Sequence, residues 1–208
     1  MAVDHARGIA HNAHDENIDH QGNANLAVWV GLVGITFMYA TFVATNVYLR
    51  GWNPQKFVLT AKLLNDLPYY TTLGLILSGI LFFLAGMFFV KDRWRAFTLT
   101  LALATLAWVA VLLTQFRLML WFIGYSPQIR TIYGPSAVIQ FLLELIGAIL
   151  LAYAGWYASY NNKAKLNKFF PVAMNVWAYT VVSTIVALLV ENVMTVGQFA
   201  AWCGQHLT

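Results

Sequence analysis

Apolar residues fill five stretches of this chain, each long enough to cross a bilayer core, and polar residues collect in the gaps between them. A helix rises about 1.5 Å per residue, so about 20 residues span the hydrocarbon. The pattern predicts spans over about 26–49, 67–90, 96–121, 136–160 and 170–190. Turn chemistry marks their ends. Arg50-Gly51-Trp52 and then Asn53-Pro54 close the first, and 53–66 reads as a loop carrying Lys56 and Lys62. Asp66-Leu67-Pro68 opens the second with a capping acid and a proline in the first turn. Residues 91–95 form a tight charged turn, Gly124-Tyr125-Ser126-Pro127 breaks the third span, and 161–168 reads as a polar, basic turn before the fifth. The predicted fold class is all-α, a polytopic membrane bundle of five transmembrane helices within 26–195. A polar tail over 1–25 precedes it and a short tail over 196–208 follows. There is no internal repeat and no separate soluble domain.

The fourth span carries the one carboxylate set deep inside an apolar run, Glu144, and it opens with the turn-like Tyr133-Gly134-Pro135-Ser136. On a helix, Gln140, Glu144, Ala148, Ala152 and Gly155 are assigned to a polar, small face turned toward protein. Ile139, Leu143, Ile146, Leu150 and Tyr153 are assigned to a face turned toward lipid. A carboxylate at mid-bilayer is a functional site by default, as a proton site or an ion-pair partner. The plainer reading makes Glu144 interfacial glue, hydrogen-bonded to Gln140 or to a neighbouring helix. Gln140 and Glu144 are the candidate buried polar site.

Composition narrows the class further. Of 208 residues, 60% are hydrophobic and only 10% charged, where a soluble domain carries about 25% charged residues. The net charge of +4 comes from basic loops, and no basic stripe interleaved with aromatics points to nucleic acid. Cys203 stands alone, which excludes an intrachain disulfide and a thiolate cluster. The amino-terminal tail lacks the greasy centre of a cleavable signal peptide, so the first span is expected to serve as the insertion signal. The tail holds His5, His11, His14 and His20. The 11/14 spacing could place two imidazoles on one helical face as metal ligands, against the favoured reading of a solvated, partly disordered tail.

With His206, all five histidines lie in the tails. No span offers the paired imidazoles of a membrane haem, a histidine copper site, or a base beside a nucleophile. No cofactor is expected in this chain, and no residue is assigned as catalytic or metal-ligating. Arg117 and Glu191 near span ends read as interfacial, with long side chains reaching the headgroups. Trp29, Trp52, Trp94, Trp121, Trp156 and Trp177 read mostly as an aromatic belt.

Five spans place the termini on opposite sides. Arg7, Lys91, Arg93, Arg95, Lys163, Lys165 and Lys168 share the amino-terminal side, whereas Arg50, Lys56, Lys62, Arg117 and Arg130 share the other. The first set crowds into two short turns, where the positive-inside rule weighs most, so the amino terminus is expected in the cytoplasm and the carboxyl terminus outside.

Several stretches together resemble subunit III of the haem-copper terminal oxidases, in the shorter five-helix bacterial form. They are the first span over 29–45 leading to Arg50, and Leu67-Pro68-Tyr69-Tyr70-Thr71-Thr72 running to Ser78. They continue with Asp92-Arg93 followed by Leu113-Thr114-Gln115, then Tyr133-Gly134-Pro135-Ser136, and finally Val176-Trp177-Ala178-Tyr179. The likeness covers about 27–190 and rests on order and spacing. Where the family carries acids or histidines, this chain has Ile35, Leu118, Ala178 and Val181, with Glu144 at the place of the first fourth-helix histidine.

The resemblance implies a non-catalytic subunit of a respiratory oxidase in a bacterial inner membrane. Haem and copper would lie in partner subunits I and II, and this chain would bind phospholipid and support proton uptake. Lys91, Arg93, Arg95, Lys163, Lys165 and Lys168 would meet anionic headgroups or the partner's inner surface. The alternatives are an accessory subunit of a nitric oxide reductase and a small proton-coupled transporter using Glu144.

Overall fold

The computed structural model describes residues 2–57 and 62–192, and every element in it is a helix. These are α1 (Ala2–Trp52), α2 (Pro54–Phe57), α3 (Lys62–Val90), α4 (Trp94–Gly124), α5 (Pro127–Ser159) and α6 (Lys163–Asn192). Five described stretches are long and apolar enough to cross a membrane: Asn25–Trp52, Asp66–Val90, Trp94–Gly124, Pro127–Ser159 and Lys163–Glu191. The chain is a multi-pass, all-α membrane protein of five spans. The expected carboxyl-terminal tail, with Cys203 and His206, lies outside the described residues, as do the side chains of the four amino-terminal histidines.

Contacts divide the chain into two units, Met1–Thr36 and Phe37–Thr208. The first is the leading stretch of α1. It presents Leu26, Trp29, Val30 and Val33 outward, and the Thr36 hydroxyl donates back to the Leu32 carbonyl at 2.8 Å. The tail over 1–25, expected as partly disordered, continues the same helix from Ala2. Once a turn exists, adding residues to it is easy, and this segment contains no proline to stop it.

Four boundaries differ from the sequence expectation in the same direction, toward longer helices. Tyr133-Gly134-Pro135-Ser136 is no turn but lies inside α5, whose start at Pro127 is capped by the Ser126 hydroxyl accepting from the Ile129 amide at 3.4 Å. Pro68 and Pro171 likewise lie inside α3 and α6. The loop expected over 53–66 contains the single turn α2 and the first residues of α3. Most of the turn expected over 161–168 is the opening of α6, where Asn162 Oδ1 accepts from the Lys165 amide at 3.2 Å. In a bilayer every backbone group needs an internal partner, so a proline that would end a soluble helix is absorbed when neighbours serve the freed groups. Asn46 of α1 reaches the Ile132 carbonyl in this part of α5 at 3.5 Å.

The two short turns are built alike. Asp92 and Asn161 both take φ of 52°, and each is followed by an amide bonded back to the fifth preceding carbonyl, Arg93 to Phe88 at 2.9 Å and Asn162 to Tyr157 at 3.0 Å. This left-handed cap satisfies the last carbonyls of α3 and α5, and Asp and Asn tolerate it better than other side-chain-bearing residues.

Helices α3, α4, α5 and α6 pack as antiparallel neighbours around one interior. Thr71 bonds Thr114 at 3.1 Å between α3 and α4, and Phe122 stacks on Tyr133 at 4.9 Å between α4 and α5. Trp177 donates to the Gly147 carbonyl at 3.0 Å between α6 and α5, and Phe82 stacks on Trp177 at 4.6 Å between α3 and α6. The last turns of α1 join α6 through Arg50, which donates to the Val190 carbonyl at 3.3 Å. Large apolar side chains such as Leu73, Phe83, Leu106, Leu113, Ile149 and Val182 point outward, as lipid-facing residues do.

Candidate functional site

Gln140 and Glu144 lie one turn apart on the interior face of α5, 1% and 0% exposed. The interior face runs on through Leu143, Gly147, Leu151, Ala154 and Ala158. This corrects the face read from the sequence. Ile139 and Leu143, assigned to lipid, are buried, and Ala152 and Gly155, assigned to protein, are exposed. The cause is geometric: a walk in steps of four turns about 40° away from the seam each time, because a helix has 3.6 residues per turn. Alternating steps of four and three stay on it.

Around these two residues the bundle gathers polar groups from three other helices. Gln115 of α4, fully buried, donates its side-chain amide to Gln140 Oε1. Tyr39 of α1 brings its hydroxyl beside the Gln140 amide without completing a hydrogen bond. Thr180 and Thr184 of α6 are fully buried, and the Trp177–Gly147 bond sets a register that places them level with Glu144 and Gln140.

Toward the end where α1 and α6 finish, the polar line continues. Asn46 accepts from Arg50 at 3.3 Å, and Arg50 also donates to the backbone carbonyl of Glu191. The Glu191 carboxylate faces the Ser136 hydroxyl. Glu191, expected at the interface, is instead 3% exposed, and Arg50 is 7% exposed. Arg117 is exposed.

In the other direction from Glu144 the interior turns aromatic. Trp108 donates its indole N–H to the backbone carbonyl of Glu144 at 2.9 Å, and Trp177 does the same to Gly147. Phe82 packs against both indoles, at 5.5 and 4.6 Å between centroids. Phe170 extends the cluster from Trp177, at 5.9 Å, toward Phe97 and Phe89. Gly147 makes this approach feasible, since a Cβ there would stand 2.9 Å from Trp108 Cε2. Trp177, placed in a membrane belt by its sequence position, is 0% exposed and belongs to this cluster.

Both carboxyl oxygens of Glu144 have no hydrogen-bond partner among protein groups, nor do Gln115 Oε1, Gln140 Nε2, the Tyr39 hydroxyl, Thr184 Oγ1 and Glu191 Oε1. Left bare at about 1–3 kcal/mol each, they would together cost on the order of 10 kcal/mol, comparable to the stability of a whole domain. Gln140 accepts from Gln115 rather than bonding Glu144. Sequence reasoning found Glu144 and Gln140 but saw Gln115 only as a spacing marker and Arg50 and Glu191 as end charges. The signal available for the last two was opposite charge at one depth, since the first and fifth spans both end on the same side.

The six expected basic contacts lie at the opposite end of the bundle, on its two short turns and the first turns that follow. Lys163 of one turn pairs with Asp92 of the other at 2.6 Å and stands over the Trp94 ring at 5.4 Å. Lys165 lies over Tyr157 at 5.9 Å. Lys91, Arg93, Arg95 and Lys168 are exposed. Beside this rim, α3 and α6 leave an apolar groove of about 620 Å³ lined by Phe83, Met87, Phe170 and Met174, with Lys91 and Asn167 at its mouth. Among the described residues no three histidine, cysteine, aspartate or glutamate side chains come close enough to hold a metal ion.

Fold and site together define a polytopic α-helical membrane protein with a buried cluster of carboxamide and carboxyl groups near the middle of its apolar spans. Compared with family models, with curated proteins and with solved structures, the chain matches none.

Proposed function

We propose that this chain is a non-catalytic subunit III of a bacterial haem-copper terminal oxidase. In that role it buttresses the haem-bearing subunit I and its neighbour subunit II, holds phospholipid, and supports proton uptake during oxygen reduction. The observation that supports the reading is that Gln115 bonds Gln140, one helical turn from Glu144, and that all three are buried. These are the third-helix glutamine and the fourth-helix position that the resemblance singles out, and they fall on facing, buried surfaces. In this reading the amino terminus is cytoplasmic, so the rim of Lys91, Arg93, Arg95, Lys163, Lys165 and Lys168 meets anionic headgroups or the partner's inner surface. The groove at Lys91 and Asn167 has the shape and polarity of an acyl-chain seat with a headgroup at its mouth.

The test is purification of the tagged chain from its native membrane in mild detergent, followed by an absorption spectrum and metal analysis. Haem and copper should co-purify in other polypeptides. Haem without copper would count against the oxidase reading, and a colourless preparation would refute both it and the nitric oxide reductase alternative.

The unpartnered carboxylate of Glu144 favours a second reading, a proton-coupled transporter. Glu144→Gln separates the two. An accessory subunit keeps assembly and oxygen uptake, whereas a transporter loses proton-coupled flux while its fold stays intact.

A further inference from the structure

The interior of the bundle is polar on one side of Glu144 and aromatic on the other, and from this division we infer a one-sided water path. Glu144 exchanges its proton with the bulk only from the end where Arg50 and Glu191 stand. The path is lined in order by Arg50, Glu191, Asn46 and Ser136, then Tyr39 and Thr184, then Gln140 and Gln115. These groups come from α1, α4, α5 and α6, so the line follows from packing and not from one amphipathic helix.

Two independent observations carry the inference. Among the described residues of Phe37–Thr208, the buried side-chain atoms without a partner all lie at Glu144 or between it and the Glu191 end, which is where water must enter to satisfy them. Beyond Glu144 the interior toward the basic rim is filled by Trp108, Trp177 and Phe82; the two indole N–H groups are already committed to backbone carbonyls, and the buried Ser78 hydroxyl of α3 donates to the Leu75 carbonyl. Such a layer has no free donor to offer a water molecule. A water admitted from the Arg50 end can therefore accept the Glu144 proton and return another, but it cannot pass onward.

The step is a plain exchange: one carboxyl O–H bond breaks to a water, and a proton from that water file re-forms it. The inference goes beyond the oxidase reading and does not depend on it, since it concerns access to Glu144 whatever the chain assembles with. It assigns Glu144 to the side opposite the basic turns, which under the proposed orientation is the external side.

Infrared spectroscopy tests this on the full chain, purified with whatever accompanies it. A carboxyl C=O band absent from Glu144→Gln identifies the group, and its isotopic shift after transfer to D2O gives the exchange rate. Gln140→Met and Thr184→Val remove polar atoms on the path at nearly constant volume. Each should slow exchange roughly ten-fold, the equivalent of losing about one hydrogen-bonded relay. Leu151→Met, buried on α5 on the aromatic side, should leave the rate unchanged. The inference is overturned if the band fails to shift, if no band is lost in Glu144→Gln, or if both path variants exchange like wild type. Slowing by Leu151→Met equal to that of Gln140→Met would also overturn it.

Discussion

Gly147→Ala should be among the most damaging single-methyl additions this bundle can receive. Its new Cβ would stand 2.9 Å from Trp108 Cε2 and 3.3 Å from Cη2, well inside carbon contact distance. Trp108 has little room to retreat, being fully buried, packed edge-on against Phe82 at 5.5 Å and held by its indole bond to the Glu144 carbonyl. Overpacking a tight core costs about 1–3 kcal/mol, and a disturbed indole hydrogen bond adds about 1 kcal/mol. An expected loss of about 2–4 kcal/mol corresponds to an equilibrium shift of about 30- to 700-fold.

The measurement is reversible unfolding in mixed micelles, with Gly155→Ala as the matched control. Gly155 sits on the same helix with nothing within 4 Å of its would-be Cβ. There alanine should be neutral, or stabilising by up to about 1 kcal/mol through helix propensity. Adding Trp108→Phe to Gly147→Ala should recover part of the loss, because the smaller ring vacates the contested space. Equal stability of the two glycine variants would show that Trp108 does not lie against Gly147, and the aromatic seal beyond Glu144 would fall with it.

Two further outcomes follow from the packing. Ala154→Phe, at a fully buried position on α5, should abolish recovery of folded protein, whereas Ala152→Phe, at an exposed position two residues away, should leave yield and melting temperature nearly unchanged; equal damage would refute the corrected face. Lys163→Ala should change unfolding stability by less than about 1 kcal/mol, because the Asp92 pair it breaks is solvent-exposed on both sides; a larger loss would mean that the pair holds the two turns in register.

The class of this protein was legible in its sequence because hydrocarbon imposes a simple demand. About 20 apolar residues must hide every backbone polar group in a helix, so the count of five spans and the all-α fold follow from run lengths alone. Glu144 and Gln140 were equally visible, since a polar residue deep inside such a run stands out against its neighbours. The helices begin at 62, 127 and 163, ahead of the spans expected from 67, 136 and 170, and the polar tail is helical from Ala2. Gly-Pro and basic clusters act as stop signals in water but not where adjacent helices satisfy the freed groups.

The companions of Glu144 were decided only by tertiary structure. Gln115, Tyr39, Thr184 and Glu191 reach the same interior because antiparallel packing fixes which residue of each helix stands level with which. Each residue added to a helix also turns the chain by about 100°, so a small difference in where a helix seats moves a side chain from lipid to core. Depth along each span can be read from the sequence by counting. Rotation about its axis is set by what it packs against, here the two indoles that close around Gly147.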